Sequence, residues 1–299
     1  MLALQGESST ASRPTALVSR STGNIIADYD IPHKSRHTFI NYLSLRKFLE
    51  SAYSQWESNA SSQYVAIECV THNTIEWLDK NRRELPGMRL HYDLPSEKLI
   101  IKFVSTGHEI FHNQFSAMLT DHFRNVGITR RHLMSRGAGR DSGNGQRQKE
   151  PDNAFKPLDT RRRENDRATL VIEAGMSETL NQLRNDAHFW LTKTDQEVKI
   201  VLLIHVRKED KIITLERWEN QTNPRPTRGT STAHRPTKMQ SLTITVRANG
   251  TTTVTGAPLT LPITLLFDVI PAGLPTTGLD ITAAELRDYA EEAFDGIEV

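Results

Sequence analysis

Two carboxylates are placed where a metal ion could use them. Asp152 follows Pro151, and Glu173 closes the short apolar run at residues 168–173. Neighbouring strands would bring the two acids together. Paired carboxylate oxygens suit Mg²⁺, with Mn²⁺ as a substitute. Such an ion activates water and stabilises the charge developing on a phosphodiester. By spacing alone, two solvated strand-end acids are the commoner arrangement.

A competing pattern is His108-Glu109-Ile110-Phe111-His112, which reads H-E-x-x-H. Histidines four apart on a helix share a face and can hold Zn²⁺ with the glutamate as base. Gly107 directly precedes the motif and puts His108 in the first helical turn. No H-x-x-G-x-x-H continuation follows, so zinc is disfavoured. His108 is expected as a polar helix-start residue and His112 on the surface. Cys69 is the single cysteine, which excludes a disulfide framework and fits a reducing compartment. It is expected as a small buried hydrophobe. The glycine-rich loop at 137–145 lacks the Gly-Lys-Ser/Thr ending of a phosphate-binding P-loop.

The net charge of +1 hides an asymmetry. Residues 124–167 carry twelve Lys/Arg against six Asp/Glu, a local +6 that leaves the rest at −5. Arg130, Arg131, Arg161, Arg162 and Arg163 are the candidates for contacting nucleic-acid phosphates. No run reaches the roughly 18 apolar residues of a membrane span. The first residues lack a basic stretch followed by an apolar one, so no secretory signal is expected. The expectation is a soluble intracellular protein, with nucleus and cytoplasm both open.

The elements that must position these residues follow from periodicity. Residues 1–30 read as a disordered tail. Residues 31–87 read as a helical region, with apolar positions at three- and four-residue spacing over 44–56 and a second helix over 74–83. Two strand-like runs flank Pro95-Ser96-Glu97 as a hairpin. A helix follows Gly107 and ends at Gly127, and a strand is expected within 128–135. The run ending in Glu173 is a short strand, followed by a helix that Ser177 can cap and whose apolar face includes Trp190. Residues 198–206 form a near-continuous apolar run, as in a strand buried on both faces, and pair with 211–219 in a hairpin. Loops 136–148 and 219–240 read as flexible. Asn249-Gly250 marks another hairpin. Thr282 with Glu285 is a capping box, which predicts a C-terminal helix in the terminal region 271–299.

The order of a helix with Glu109, a strand, Pro151-Asp152, a strand ending in Glu173, an amphipathic helix and an apolar strand resembles the PD-(D/E)xK nuclease superfamily. It is most similar to a bacterial branch of endonucleases and a related group of fungal proteins. The matching residues are Gly107-His108-Glu109, Pro151-Asp152, Val171-Ile172-Glu173 and the stretch from Ser177 to Asp186. The resemblance covers residues 88–218 and extends toward 270. It implies a restriction-endonuclease-like α/β (α+β) core, a mixed sheet flanked by helices, over residues 88–270. It also implies Asp152 and Glu173 as metal ligands and Glu109 as a third acidic group. The superfamily places a lysine two residues after the strand-end acid, where this chain has Gly175. Lys149 beside Pro151-Asp152 and Arg184 on the following helix are the substitutes considered, with Lys199 behind them. Arg184 would be a poor proton-transfer group because it stays protonated. The expected function is a Mg²⁺-dependent nuclease-like protein acting on DNA, or a degenerate relative that binds without cutting. The alternative is an interaction scaffold.

Overall fold

Alternating apolar residues build two main sheets. The computed structural model describes residues 25–297 except 59, 141–146, 177–178, 223–233 and 249. The first part of the chain forms α1 (Ile25–Asp28), β1 (Arg36–Thr38), α2 (Tyr42–Glu57), β2 (Tyr64–Glu68), α3 (His72–Lys80), β3 (Met88–Asp93) and β4 (Lys98–Phe103). Next come α4 (Thr106–Asn125), β5 (Leu133–Ser135), β6 (Arg147–Lys149), β7 (Asn153–Pro157), β8 (Leu170–Gly175), α5 (Leu180–Thr192) and β9 (Ile200–Arg207). The last part forms β10 (Ile212–Thr222), β11 (His234–Val246), β12 (Thr252–Thr255), β13 (Leu259–Leu261), α6 (Ile263–Leu266), β14 (Leu279–Ile281) and α7 (Ala283–Asp295). The chain is a mixed α/β protein.

The first sheet has the order β1-β2-β4-β3-β6, and the second β12-β11-β10-β9-β8-β7-β5. In the second sheet only β8 and β9 run parallel, joined by α5 as the crossover. Parallel neighbours need such a connection. A small third sheet pairs β13 with β14.

The two faces of β8 and β9 are both covered. Leu170, Ile172, Ala174, Ile200, Leu202 and Ile204 pack on the side of α4 and α7. Val171, Val201 and Leu203 pack on the side of α5, against Leu183, Ala187 and Trp190. That explains the near-continuous apolar run, since each alternate residue meets a different helix layer. Thr282 accepts from the Glu285 amide and Glu285 reaches back to Thr282, so the predicted capping box starts α7.

Several expectations are corrected. The disordered tail expected over 1–30 fails at its end, since α1 forms there and Ile26 and Tyr29 are buried against β2 and β4. The region at 31–87 holds α2 and α3 but also β1 and β2, because the second face of its helices needs a sheet to pack on. Residue 88 is no boundary, since β3 and β4 pair into the sheet that holds β1 and β2. The strand expected across 128–135 is confined to Leu133–Ser135. Loop 136–148 partly orders as β6, and loop 219–240 is entered by β10 and left by β11, which run to Thr222 and from His234. Ser177 lies outside the described residues, and Thr179 caps α5 with Gln182. Cys69 is exposed, in a left-handed turn with φ 61°.

Candidate active site

The acids meet, and the lysine between them comes from the other sheet. β7 and β8 pair antiparallel with Asn153 opposite Ile172, which brings Asp152 beside the Glu173 end of β8. In β4, Leu99, Ile101 and Phe103 point into the α2 and α3 core. Lys102 therefore projects from the opposite face. Its ammonium donates to Asp152 Oδ2 at 2.9 Å, to Glu173 Oε2 at 3.4 Å and to the Ala174 carbonyl at 2.5 Å. All three side chains are buried, at 2% exposure or less.

The same alternation in β3 turns Arg89 and His91 away from Leu90 and Tyr92, Arg89 toward the acids and His91 against Tyr29 and Phe189. Arg89 reaches Glu109 at 2.6 Å and lies 3.4 Å from Asp152 Oδ1. Lys149 arrives on β6, which pairs with β3. It sits 3.2 Å from Glu173 and 3.0 Å from Asp186 on α5. Asp186 also accepts from Tyr64 at 3.0 Å and from Tyr29. Trp190 donates its indole N–H to Glu173 Oε1 at 2.6 Å.

From α4, His108 Nε2 faces the Ala174 carbonyl at 2.9 Å and Asp152 Oδ2 at 3.2 Å. Two acceptors on one ring nitrogen place its proton there. His112 Nε2 contacts Glu109 at 3.0 Å. His112 is thus buried, not on the surface as expected, because α4 lays this face against β8. Ligand atoms of His108, Glu109 and His112 lie within 4.8 Å of one another. His108 Nε2 is taken by Asp152 and Ala174, while His108 Nδ1 and His112 Nδ1 have no hydrogen-bond partner, and the Arg89 guanidinium beside Glu109 opposes a cation.

The cluster balances Lys102, Lys149, Arg89 and His108 against Asp152, Glu173, Asp186 and Glu109. Burying each ion costs several kcal/mol, and only near-complete pairing offsets it. Burial pushes the Asp152 carboxyl up, but His108, Lys102 and Arg89 hold it well below the ordinary range. Burial pushes Glu173 up to about 7; Lys149 and Lys102 pull against this, while Asp186 and Asp152 add to it. Burial opposes the charge on His108, yet Asp152 and Glu109 raise it to about 9.

That shift gives a stability signature. A group raised on folding contributes fully below its unfolded value, 6.5 for histidine, and loses the contribution as pH rises through about 9. The loss is about 3 kcal/mol for a shift of this size. Urea midpoints at pH 6 and pH 9.5 are expected to fall less steeply in His108→Gln than in the parent. An equal fall in both would remove His108 from the network's titration.

The oxygens that converge on Lys102 are of the type a hard divalent cation uses, and the ammonium fills the place between them. Asp152 and Glu173 supply carboxylates and Ala174 a carbonyl oxygen, all within reach of one ammonium. Asp152 Oδ1 is buried without a hydrogen-bond partner. Oxygen-only ligation of this kind suits Mg²⁺ better than zinc.

Other expected residues lie elsewhere. Arg184 pairs with Glu216 at 2.6 Å, on the far side of α5 from the acids. Lys199 and Arg161 both clamp Asp268. Arg162 and Arg163 are exposed, and Arg130 and Arg131 line a cleft of about 1220 Å³ beside α4 and β5. Trp190 and Trp218 are core residues. Lys102 was missed, although a lysine inside the run LIIKFV is itself a signal, since lysine is almost never fully buried unless paired. Tyr29 and Tyr64 had no sequence signal.

Among the described residues, no helix is long and apolar enough to cross a membrane. Compared with family models and with curated proteins, the chain matches none.

Proposed function

We propose that the chain is a PD-(D/E)xK-type nuclease that hydrolyses DNA phosphodiester bonds with Mg²⁺. The observation that carries this is the meeting of Lys102 with Asp152 and Glu173. It supplies the lysine that Gly175 lacks. Further support comes from topology: β5, β7, β8 and β9 are consecutive in the sheet, with α4 on one face and α5 on the other. That arrangement supports reading this sheet and its helices as a restriction-endonuclease-like core.

Asp152, Glu173 and the Ala174 carbonyl would hold the ion. When bound, it lowers the pKa of water and offsets charge on the phosphate. The Lys102 ammonium stands among these three oxygens, so the ion would displace it toward the attacking water, where it would face the developing negative charge. His108 fixes Asp152, and Trp190 with Lys149 fixes Glu173. Glu109, at 35% side-chain exposure, is the most open carboxylate of the cluster and fits the third acidic position.

The test is Mg²⁺- or Mn²⁺-dependent cleavage of plasmid and single-stranded DNA. Asp152→Ala and Glu173→Ala are each expected to abolish it. Cleavage surviving both substitutions rules the assignment out.

A second reading is favoured by burial. Asp152 and Glu173 are 1% and 0% exposed, beneath the first sheet. A chain closed in this way would bind DNA without cutting, through the Arg130 and Arg131 cleft. It predicts no cleavage, together with salt-sensitive DNA binding that Arg130→Ala and Arg131→Ala weaken in fluorescence anisotropy.

A further inference from the structure

A cavity of about 430 Å³ opens beside the buried network, lined from α1, β3, β6 and α5. Its size falls within the roughly 300–1,000 Å³ of small-molecule sites. Tyr29, His91 and Phe189 form a continuous aromatic wall. Tyr29 and His91 meet edge-on at 5.8 Å between centroids, and His91 and Phe189 at 4.3 Å. Phe189, the partly exposed ring of the three, offers a face on which a planar heterocycle stacks, backed by the buried Tyr29 and His91.

The charges in the wall cancel. Arg147 and Lys193 stand against Asp28 and Asp93, and Arg147 is tied to Asp93 at 2.9 Å. Thr192 and Lys193 lie at the C-terminal end of α5, whose carbonyls carry partial negative charge and oppose an anion. Asn185 adds an amide to the lining. His91 is 5% exposed, with Nδ1 lacking a hydrogen-bond partner. Burial, with Lys149 and Arg147 nearby, keeps its imidazole neutral. A neutral imidazole has one donor and one acceptor nitrogen.

We infer that this cavity binds a neutral, planar heteroaromatic molecule of nucleoside size. Tyr29 links it to the acids, because its hydroxyl donates to Asp186, which contacts Lys149 beside Glu173. The inference does not depend on cleavage. It is read as binding, on the full chain, without added metal.

The experiment is isothermal titration calorimetry with adenosine, guanosine, cytidine and uridine, each beside its 5′-monophosphate. At least one nucleoside is expected to bind saturably at one site, and more tightly than its monophosphate. Phe189→Ala should weaken binding about tenfold by removing a stacking face. Thr192→Trp, at an exposed position of the lining, should block the cavity without disturbing the core. Exposed Arg287→Ala on α7 should change nothing. Near-UV circular dichroism checks that each variant is folded. The inference is overturned by no saturable binding of any nucleoside, by monophosphates binding at least as tightly, or by full affinity in folded Thr192→Trp.

Discussion

Replacing Lys102 with methionine should destabilise the protein by about 3–5 kcal/mol, as expected when one partner of a buried ion pair is removed. The ammonium is 2% exposed and serves Asp152, Glu173 and the Ala174 carbonyl together. Methionine matches its length but supplies no proton. Asp152 would keep the Ala174 amide at 2.8 Å and His108, and Glu173 would keep Lys149 and Trp190. Each acid would retain partners, but the positive charge between them would be gone. Millimolar Mn²⁺ should then raise the thermal midpoint of Lys102→Met more than that of the parent, because an ion that binds only the folded state stabilises it. Cleavage, if the parent shows it, should be lost at the same time. A variant as stable as the parent, with no differential response to Mn²⁺, would mean that Lys102 does not occupy a cation position.

The second large effect is expected at Asp186. This carboxylate is fully buried and receives Tyr29, Tyr64 and Lys149. Through it, α5 of the second sheet's layer is fastened to α1 and to the first sheet. Asp186→Asn keeps the shape but leaves Lys149 with only Glu173 as counter-charge, and turns one acceptor into a donor that faces hydroxyls. A loss of about 3–5 kcal/mol is expected in urea unfolding. Amide exchange should quicken in α1 and β2, the elements that Asp186 holds. A separate readout tests the electrostatics. Burial is the main cause of the raised Glu173 pKa, and the Asp186 charge adds to it. In the neutral variant the Glu173 midpoint should fall below about 7, measured by its side-chain carboxyl ¹³C shift. An unmoved midpoint would show that Asp186 acts only as a structural tie.

These two residues also mark where reading the sequence stops. The β3–β4 hairpin, α4, the β9–β10 pairing and the α7 capping box were legible because each is decided within a short window. Apolar period, a turn or a capping side chain names the element without knowledge of its neighbours. Asp152 and Glu173 were legible for the same reason, since Asp152 directly precedes β7 and Glu173 lies in β8, its antiparallel neighbour. The lysine between them was not. In β3 and β4 the pattern alternates, with Leu90, Ile101 and Phe103 inward and Arg89, His91 and Lys102 on the other face. Taken alone, such a polar face belongs to solvent.

Only the docking of one sheet against the other buries it. Lys102 lies 50 positions from Asp152 and 71 from Glu173, and Tyr29 lies 157 from Asp186. No local periodicity carries information over such distances. The polar residues that read as a wetted surface become an enclosed network because each finds a partner of opposite charge across the interface, which is the condition on which charge can be buried at all. Short-range patterning names α2 to α5, α7, the β3–β4 and β9–β10 pairings and the two acids, but not α1, β1, β2 or β6. The tertiary structure decided which cation stands between the acids, and why Arg184, on the wrong side of α5, does not.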